Sequence, residues 1–192
     1  MGSTSHVAVN AENQATPRAG FAYDIVQRGL DASFWKTIAA TVSVVANKIR
    51  LASGGEIASY TQFKYGRFIF PVNVPTTPSA GEAKKWGLLM PGTPAVGSAY
   101  FEIAAAVFKC ISYDDDGTAE TTIVTWDGWE AAETLFEIEW EKDYVIFKVA
   151  GTVVASHSTR VGQSPLALYA DNTDADNTDL GNVTIKNTAV YV

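Results

Sequence analysis

The acidic, histidine and indole side chains of this sequence fall into a few groups that could do chemistry. The run Asp171-Asn172-Thr173-Asp174-Ala175-Asp176 offers alternating oxygen ligands, with Asp171, Asp174 and Asp176 as the carboxylates, and calcium is the ion such a donor set would take. It lacks the central glycine and closing glutamate of an EF-hand loop. The ordinary expectation is therefore an Asx-turn loop with no cofactor, and calcium is the alternative. Asp114-Asp115-Asp116-Gly117 lies between two strand-like runs and reads as a solvated turn. The two histidines, His6 and His157, have no second His or Cys at metal-ligand spacing, which speaks against zinc. Ser156 and Ser158 flank His157, but neighbours along a strand face opposite sides and cannot form a triad by adjacency. The single cysteine, Cys110, sits among Val107, Phe108 and Ile111 as a buried thiol would. Trp126 and Trp129 bracket Asp127-Gly128, an expected strand end and turn. Indoles there would either stack on the apolar faces of sugars or bury at the sandwich rim or against a neighbouring subunit.

Composition narrows the classes. The chain has 192 residues, 47% of them hydrophobic, a formal net charge of −7 and a pI near 4.8. That suits one large domain. Acidic balance with scattered cations excludes nucleic-acid binding, which needs clustered Lys and Arg, and disfavours attachment to anionic membranes. The densest basic spot, Lys84-Lys85, reads as a solvated loop. No internal disulfide can form, no signal-peptide pattern opens the chain, and no run of about 18 apolar residues occurs.

Residues 1 to 19 are a polar stretch without a core of its own, expected to be an arm that docks on a neighbour or on the domain surface. Residues 20 to 192 form the expected domain. A helix over Phe21 to Ala32 is the best helical candidate, although its apolar positions make no clean stripe. Beyond residue 40, short runs rich in Val, Ile, Phe, Tyr, Trp and Thr alternate with Gly, Pro and Asp. Strands are predicted over Thr41 to Val45, Lys48 to Ala52, Gly66 to Val74, Tyr100 to Ser112, Thr121 to Trp126, Leu135 to Trp140, Tyr144 to Val149, Thr152 to His157, Leu166 to Tyr169 and Asn182 to Val192. Phe136, Ile138 and Trp140 alternate with Glu137, Glu139 and Glu141, placing the rings inward. Residues 135 to 157 should form a three-stranded meander. The expected class is all-β, a two-sheet antiparallel jelly-roll sandwich.

Several fragments carry a family resemblance. Asn47 to Ser59 followed by Phe63-Lys64-Tyr65-Gly66-Arg67-Phe68, then Trp86-Gly87-Leu88-Leu89, Tyr100-Phe101-Glu102-Ile103, Phe136 to Trp140 with Tyr144 to Gly151, and Gly181 to Ile185 occur in the order found in the concanavalin A-like lectins and glucanases. The pattern resembles the laminarinase-like glycoside hydrolases above all. The resemblance implies a glycan cleft with Trp86 beside it and a catalytic strand of the form E-x-D-x-E. Retaining hydrolysis needs two carboxyl groups on such a cleft. The matching positions here are Glu102, Ala104 and Ala106, so one carboxylate survives.

These readings lead to expectations about function. The chain is expected to be no enzyme, with no catalytic residue, and to serve as a surface or structural module of a virus particle or similar assembly. It would self-associate or meet other subunits through its arm. A free carbohydrate-binding lectin-like domain is the alternative, and an active glycoside hydrolase ranks last. Glycan, if bound, would meet Trp86, Glu102, Trp126 and Trp129, at a virion or extracellular surface.

Overall fold

The computed structural model describes residues 33–39, 41–74, 77–90, 96–125, 132–186 and 188–191. The expected arm over residues 1 to 19, the helix over Phe21 to Ala32, and Trp126 and Trp129 lie outside the described residues. Among those described there are strands and turns but no helix, as a sequence dense in β-branched and aromatic residues dictates. All strand pairings are antiparallel, in two eight-stranded sheets.

The first sheet runs β1 (Trp35–Thr37), β4 (Gly55–Lys64), β13 (Leu166–Asn172), β6 (Ala83–Leu89), β7 (Ala99–Ala104), β8 (Val107–Tyr113) and β9 (Ala119–Val124), with β16 (Ala189–Tyr191) also on β4. The second runs β12 (Thr152–His157), β11 (Val145–Val149), β10 (Thr134–Trp140), β5 (Gly66–Asn73), β14 (Thr178–Leu180), β3 (Lys48–Leu51) and β2 (Val42–Val45), with β15 (Thr184–Lys186) on β5. The meander expected over residues 135 to 157 forms, its first strand starting one residue earlier at Thr134, with Phe136, Ile138 and Trp140 buried.

Alternation sends one side of each sheet into a shared aromatic core. Trp86, Phe101 and Phe108 of the first sheet meet Phe136 and Phe147 of the second, with centroids of Trp86 and Phe136 4.8 Å apart and of Phe101 and Phe147 5.2 Å apart. Each large ring removed from water contributes about 1.5–3 kcal/mol. That interlock fixes which residues of the first sheet must point the other way. Cys110 lies in this core, and burial pushes its thiol well above the ordinary range.

Three expectations need correction. Tyr100 to Ser112 is two strands, because the backbone reverses at Ala105 and Ala106, whose φ angles of 47° and 62° make a two-residue hairpin turn. Alanine disguised that turn, which usually carries Asn or Gly. Asn182 to Val192 is likewise divided, β15 joining one sheet and β16 the other. Strands β1, β4, β6 and β14 were missing from the predicted set. In β4 and β6, buried and half-buried positions mix with Gly, Ser and Lys and hide the period.

Candidate functional site

The core claims Trp86, Leu88, Ala99, Phe101, Ile103, Phe108 and Cys110, so their strand neighbours line the opposite, outer face of the first sheet. Register then writes a row across it. Glu56 on β4 is opposite Asp171 on β13, Asp171 is opposite Lys85 on β6, Lys85 is opposite Glu102 on β7, and Glu102 is opposite Lys109 on β8. Five strands thus contribute charges of mixed sign along one line. Beside it lies a second row in which Ala58, Tyr169, Gly87, Tyr100 and Ile111 are successive partners.

Local packing explains the second row. A side chain on Gly87 would place its Cβ 2.6 Å from the Ala99 carbonyl oxygen and 2.6 Å from Tyr100 Cα. Only bare backbone fits there, and Tyr100 and Tyr169 stand to either side. Ala58, Leu89, Tyr100, Ile111, Ala167 and Tyr169 form an apolar cluster separate from the main core, with Tyr113 packed against it. Tyr100 and Tyr113 stack with centroids 6.4 Å apart and planes 13° from parallel. Burial, with neighbouring Tyr113 and Glu102, pushes the Tyr100 hydroxyl far above its ordinary range, so it remains a neutral donor and acceptor. Tyr60, two residues beyond Ala58 in the bulged part of β4, is 58% exposed.

The carboxyl groups of the charged row differ in their surroundings. Lys109 Nζ lies 2.8 Å from Glu102 Oε1, and Lys85 Nζ 3.8 Å from Oε2. The Tyr169 hydroxyl donates to Glu56 Oε1 at 2.8 Å. Asp171 is held toward its protonated form, because burial raises it and Glu56 adds to the rise, while Lys85 opposes. Two adjacent strand steps separate Asp171 from Glu102, or roughly 9–10 Å between backbones. A carboxyl that burial shifts upward and an ion-paired carboxylate therefore face one surface, with Lys85 between them and Tyr100 and Tyr169 in the row beside them.

Glu102 lies on this outer face. The structure places Trp86 elsewhere: it is 1% exposed, between the sheets against Phe101, Phe108 and Phe136, because its strand parity is that of Leu88 and the core. Trp86 therefore cannot contact a glycan. Ala104 ends β7, and Ala106 lies in the turn with positive φ, so the three positions of the expected E-x-D-x-E strand do not share one face. The candidate calcium ligands also separate. Asp171 points to the outer face, whereas Asp174 is buried with its Oδ2 2.9 Å from Lys84 Nζ, and Asp176 is exposed. Among the described residues no cluster of three or more His, Cys, Asp or Glu could hold a metal ion. Lys84 is correspondingly no loop residue but a fully buried partner for Asp174. The acidic turn at 114–116 is structural: Asp115 accepts from the Gln163 and Ser164 amides, and Asp114 from Thr118 N at 2.7 Å and Arg160 Nη1 at 2.9 Å.

The comparisons with known proteins address the fold. No protein-family model and no curated protein matches the chain. Solved structures do. The apo Crh5 transglycosylase superposes with a TM-score of 0.70 at 16% identity, covering 91% of this chain and 87% of that one. A Bacillus licheniformis β-glucanase gives 0.65 at 13% identity, over 91% and 99%. The catalytic domain of an endo-1,3-β-glucanase (laminarinase) from Thermotoga petrophila gives 0.67 at 12% identity, over 86% and 96%. The sandwich is of the concanavalin A-like type.

One expectation falls with this finding. The chain was expected to be no enzyme, yet the sandwiches it superposes on are those of a transglycosylase and glucanases. The expectation rested on a single strand, and the outer face brings Asp171 and Glu56 into line with Glu102 from strands outside that motif. Sequence reasoning missed Glu56, Lys85, Tyr100, Lys109, Tyr113 and Tyr169. Extending the strand at Leu166 by three residues would have put Tyr169 and Asp171 on one side of it.

Proposed function

We propose that the chain is a carbohydrate-active sandwich that takes a glycan strand across the outer face of its first sheet. The observation that carries this reading is the in-register row Glu56, Asp171, Lys85, Glu102, Lys109 beside a tyrosine-lined row. Sugar hydroxyls need both donors and acceptors, which such a row supplies, and an exposed ring such as Tyr60 can stack on the apolar face of a pyranose. The likeness to glucanase sandwiches supports the class of ligand. Asp171, whose acid form burial favours, is the candidate proton donor, and Glu102 is the second carboxyl of the row.

Titration of neutral β-glucan and chitin oligosaccharides, followed by calorimetry and by assay of new reducing ends, tests the proposal. Glu102→Gln, Asp171→Asn and Tyr60→Ala should each weaken binding roughly tenfold, about 1.4 kcal/mol, with the fold intact by circular dichroism. Any release of reducing ends should vanish in Asp171→Asn. Absence of binding across the panel, or binding indifferent to all three substitutions, would sink the reading. The finer expectation, a surface module of a virus particle or similar assembly, rests on residues 1 to 19, outside the described residues.

A further inference from the structure

At one rim of the sandwich a buried imidazole ties the two sheets together. His157 ends β12, the edge strand of the second sheet, and is fully buried. Its Nδ1 lies 2.8 Å from Ser112 Oγ of β8, and its Nε2 2.9 Å from Thr122 Oγ1 of β9, both in the first sheet. Both ring nitrogens are therefore spent on a bond between layers. The edge strand β9 pairs with β8 alone and each of its residues is exposed or half-buried; besides the imidazole, Val124 packs on the core and Glu120 accepts from the Thr159 and Arg160 amides.

We propose that His157 is an acid-released latch: protonating the imidazole frees β12 from β8 and β9 while the rest of the sandwich stays folded. A neutral ring donates at one nitrogen and accepts at the other, matching two hydroxyls that can each turn either way. A protonated ring donates at both and brings a charge into a site with little to balance it. From β11 it is faced by Val145 and the Phe147 ring, 5.1 Å between centroids. From β8 come Ser112 and the Cys110 strand, whose thiol burial keeps protonated. From β9 the charged group is Glu120, whose Oε2 already accepts from the Thr159 and Arg160 amides. Arg160 is turned to Asp114. Burial lowers the His157 value and Glu120 only partly offsets it. The sign follows: stability from the neutral ring is complete above the ordinary histidine value of about 6.5 and declines as pH falls through the lowered folded value. Strand β8 also carries Lys109 and Tyr113, so the latch adjoins one end of the outer face. The latch stands whether or not that face binds glycan.

Amide hydrogen exchange at pH 7.5 and 5.5, corrected for intrinsic rates, tests the latch. In the wild type, residues 119–124 and 152–157 should lose roughly tenfold protection relative to β4, β5 and β13, the proton linkage expected over one pH unit. His157→Gln, which still donates and accepts but does not titrate, should abolish that difference. Proton NMR of the wild-type chain, with His6→Gln to assign the two histidine signals, gives a reading that needs no His157 variant. The His157 ring should titrate below its ordinary value, and the loss of protection should set in at about pH 6.5 and level off where the ring itself titrates. A uniform loss of protection, the same local loss in His157→Gln, or an ordinary His157 titration would overturn the proposal.

Discussion

The two sheets present opposite kinds of outer face. On the second sheet, Arg67 and Lys148 Nζ both engage Glu137, and Lys148 Nζ also lies 2.8 Å from Glu139 Oε2. Arg50 grips Asp179 through two nitrogens, at 2.7 and 2.8 Å. Each carboxylate there is matched by a cation, and the lattice is closed. On the first sheet, Asp171 sits raised beside Glu56, and Tyr100 and Tyr169 lie in the row beside the charges, with Tyr113 packed against them. A face whose charges answer one another has little left for a ligand. A face on which a buried carboxyl is shifted upward, with no cation among the described residues matched to it as Arg67 and Lys148 are to Glu137, has bonding capacity to spare, and this difference marks the first sheet as the candidate site.

The sharpest break in the comparison comes from the inner side of the first sheet. Trp86→Ala should cost about 3–5 kcal/mol, because a buried indole leaves both its transfer energy and a cavity behind. Urea unfolding would read the loss directly. A loss under 1 kcal/mol with weakened glycan binding would return Trp86 to the outer face and reverse the assignment of sides.

A smaller effect separates the outer faces themselves. Glu137→Gln breaks a lattice in which Arg67 and Lys148 hold the carboxyl below its usual range although burial works the other way. The loss should be about 1 kcal/mol, since Arg67 is partly exposed and water screens the pair. A depressed value means this stability is present above the unfolded value of about 4.3 and is lost as pH falls through the folded one. Asp171 carries the opposite sign. Its raised value favours folding below the unfolded value of about 3.9, and that advantage is lost as pH rises through the folded one. Asp171→Asn should therefore be neutral or slightly stabilising at pH 7, while Glu137→Gln is destabilising. Denaturation midpoints at pH 7 and pH 4 check both, and equal losses at pH 7 would dissolve the contrast.

The fold class was legible because aromatic and β-branched runs with turn residues between them leave few alternatives to a sandwich, and the Phe136, Ile138, Trp140 alternation already fixed one strand's sides. The site was less legible. Its residues come from β4, β13, β6, β7 and β8, which are distant in sequence, and only register across strands brings them into one row. Lys84 and Lys85 show the difficulty: adjacent on β6, one is buried against Asp174 and the other stands on the outer face beside Glu102. Nothing in the pair of letters distinguishes them until the strand is seen.

The hairpin at Ala105 and Ala106 sharpens the comparison from the smallest side, because it decides how far β7 extends into the candidate face. Two consecutive alanines with φ of 47° and 62° occupy a left-handed region that costs a residue bearing a Cβ roughly 1–2 kcal/mol each. Asn and Gly adopt that region far more readily, and Asn-Gly is the favoured pair in this kind of turn. Ala105→Asn with Ala106→Gly should thus stabilise the chain by about 1 kcal/mol, the gain being trimmed by the extra freedom glycine gives the unfolded chain. The midpoint of urea unfolding should rise with an unchanged slope. If β7 instead ran straight through these residues, the same pair would place Asn and Gly in a strand interior and lower stability by a similar amount. The sign of one measurement therefore tells whether Glu102 is followed by a turn or by further cleft-lining positions.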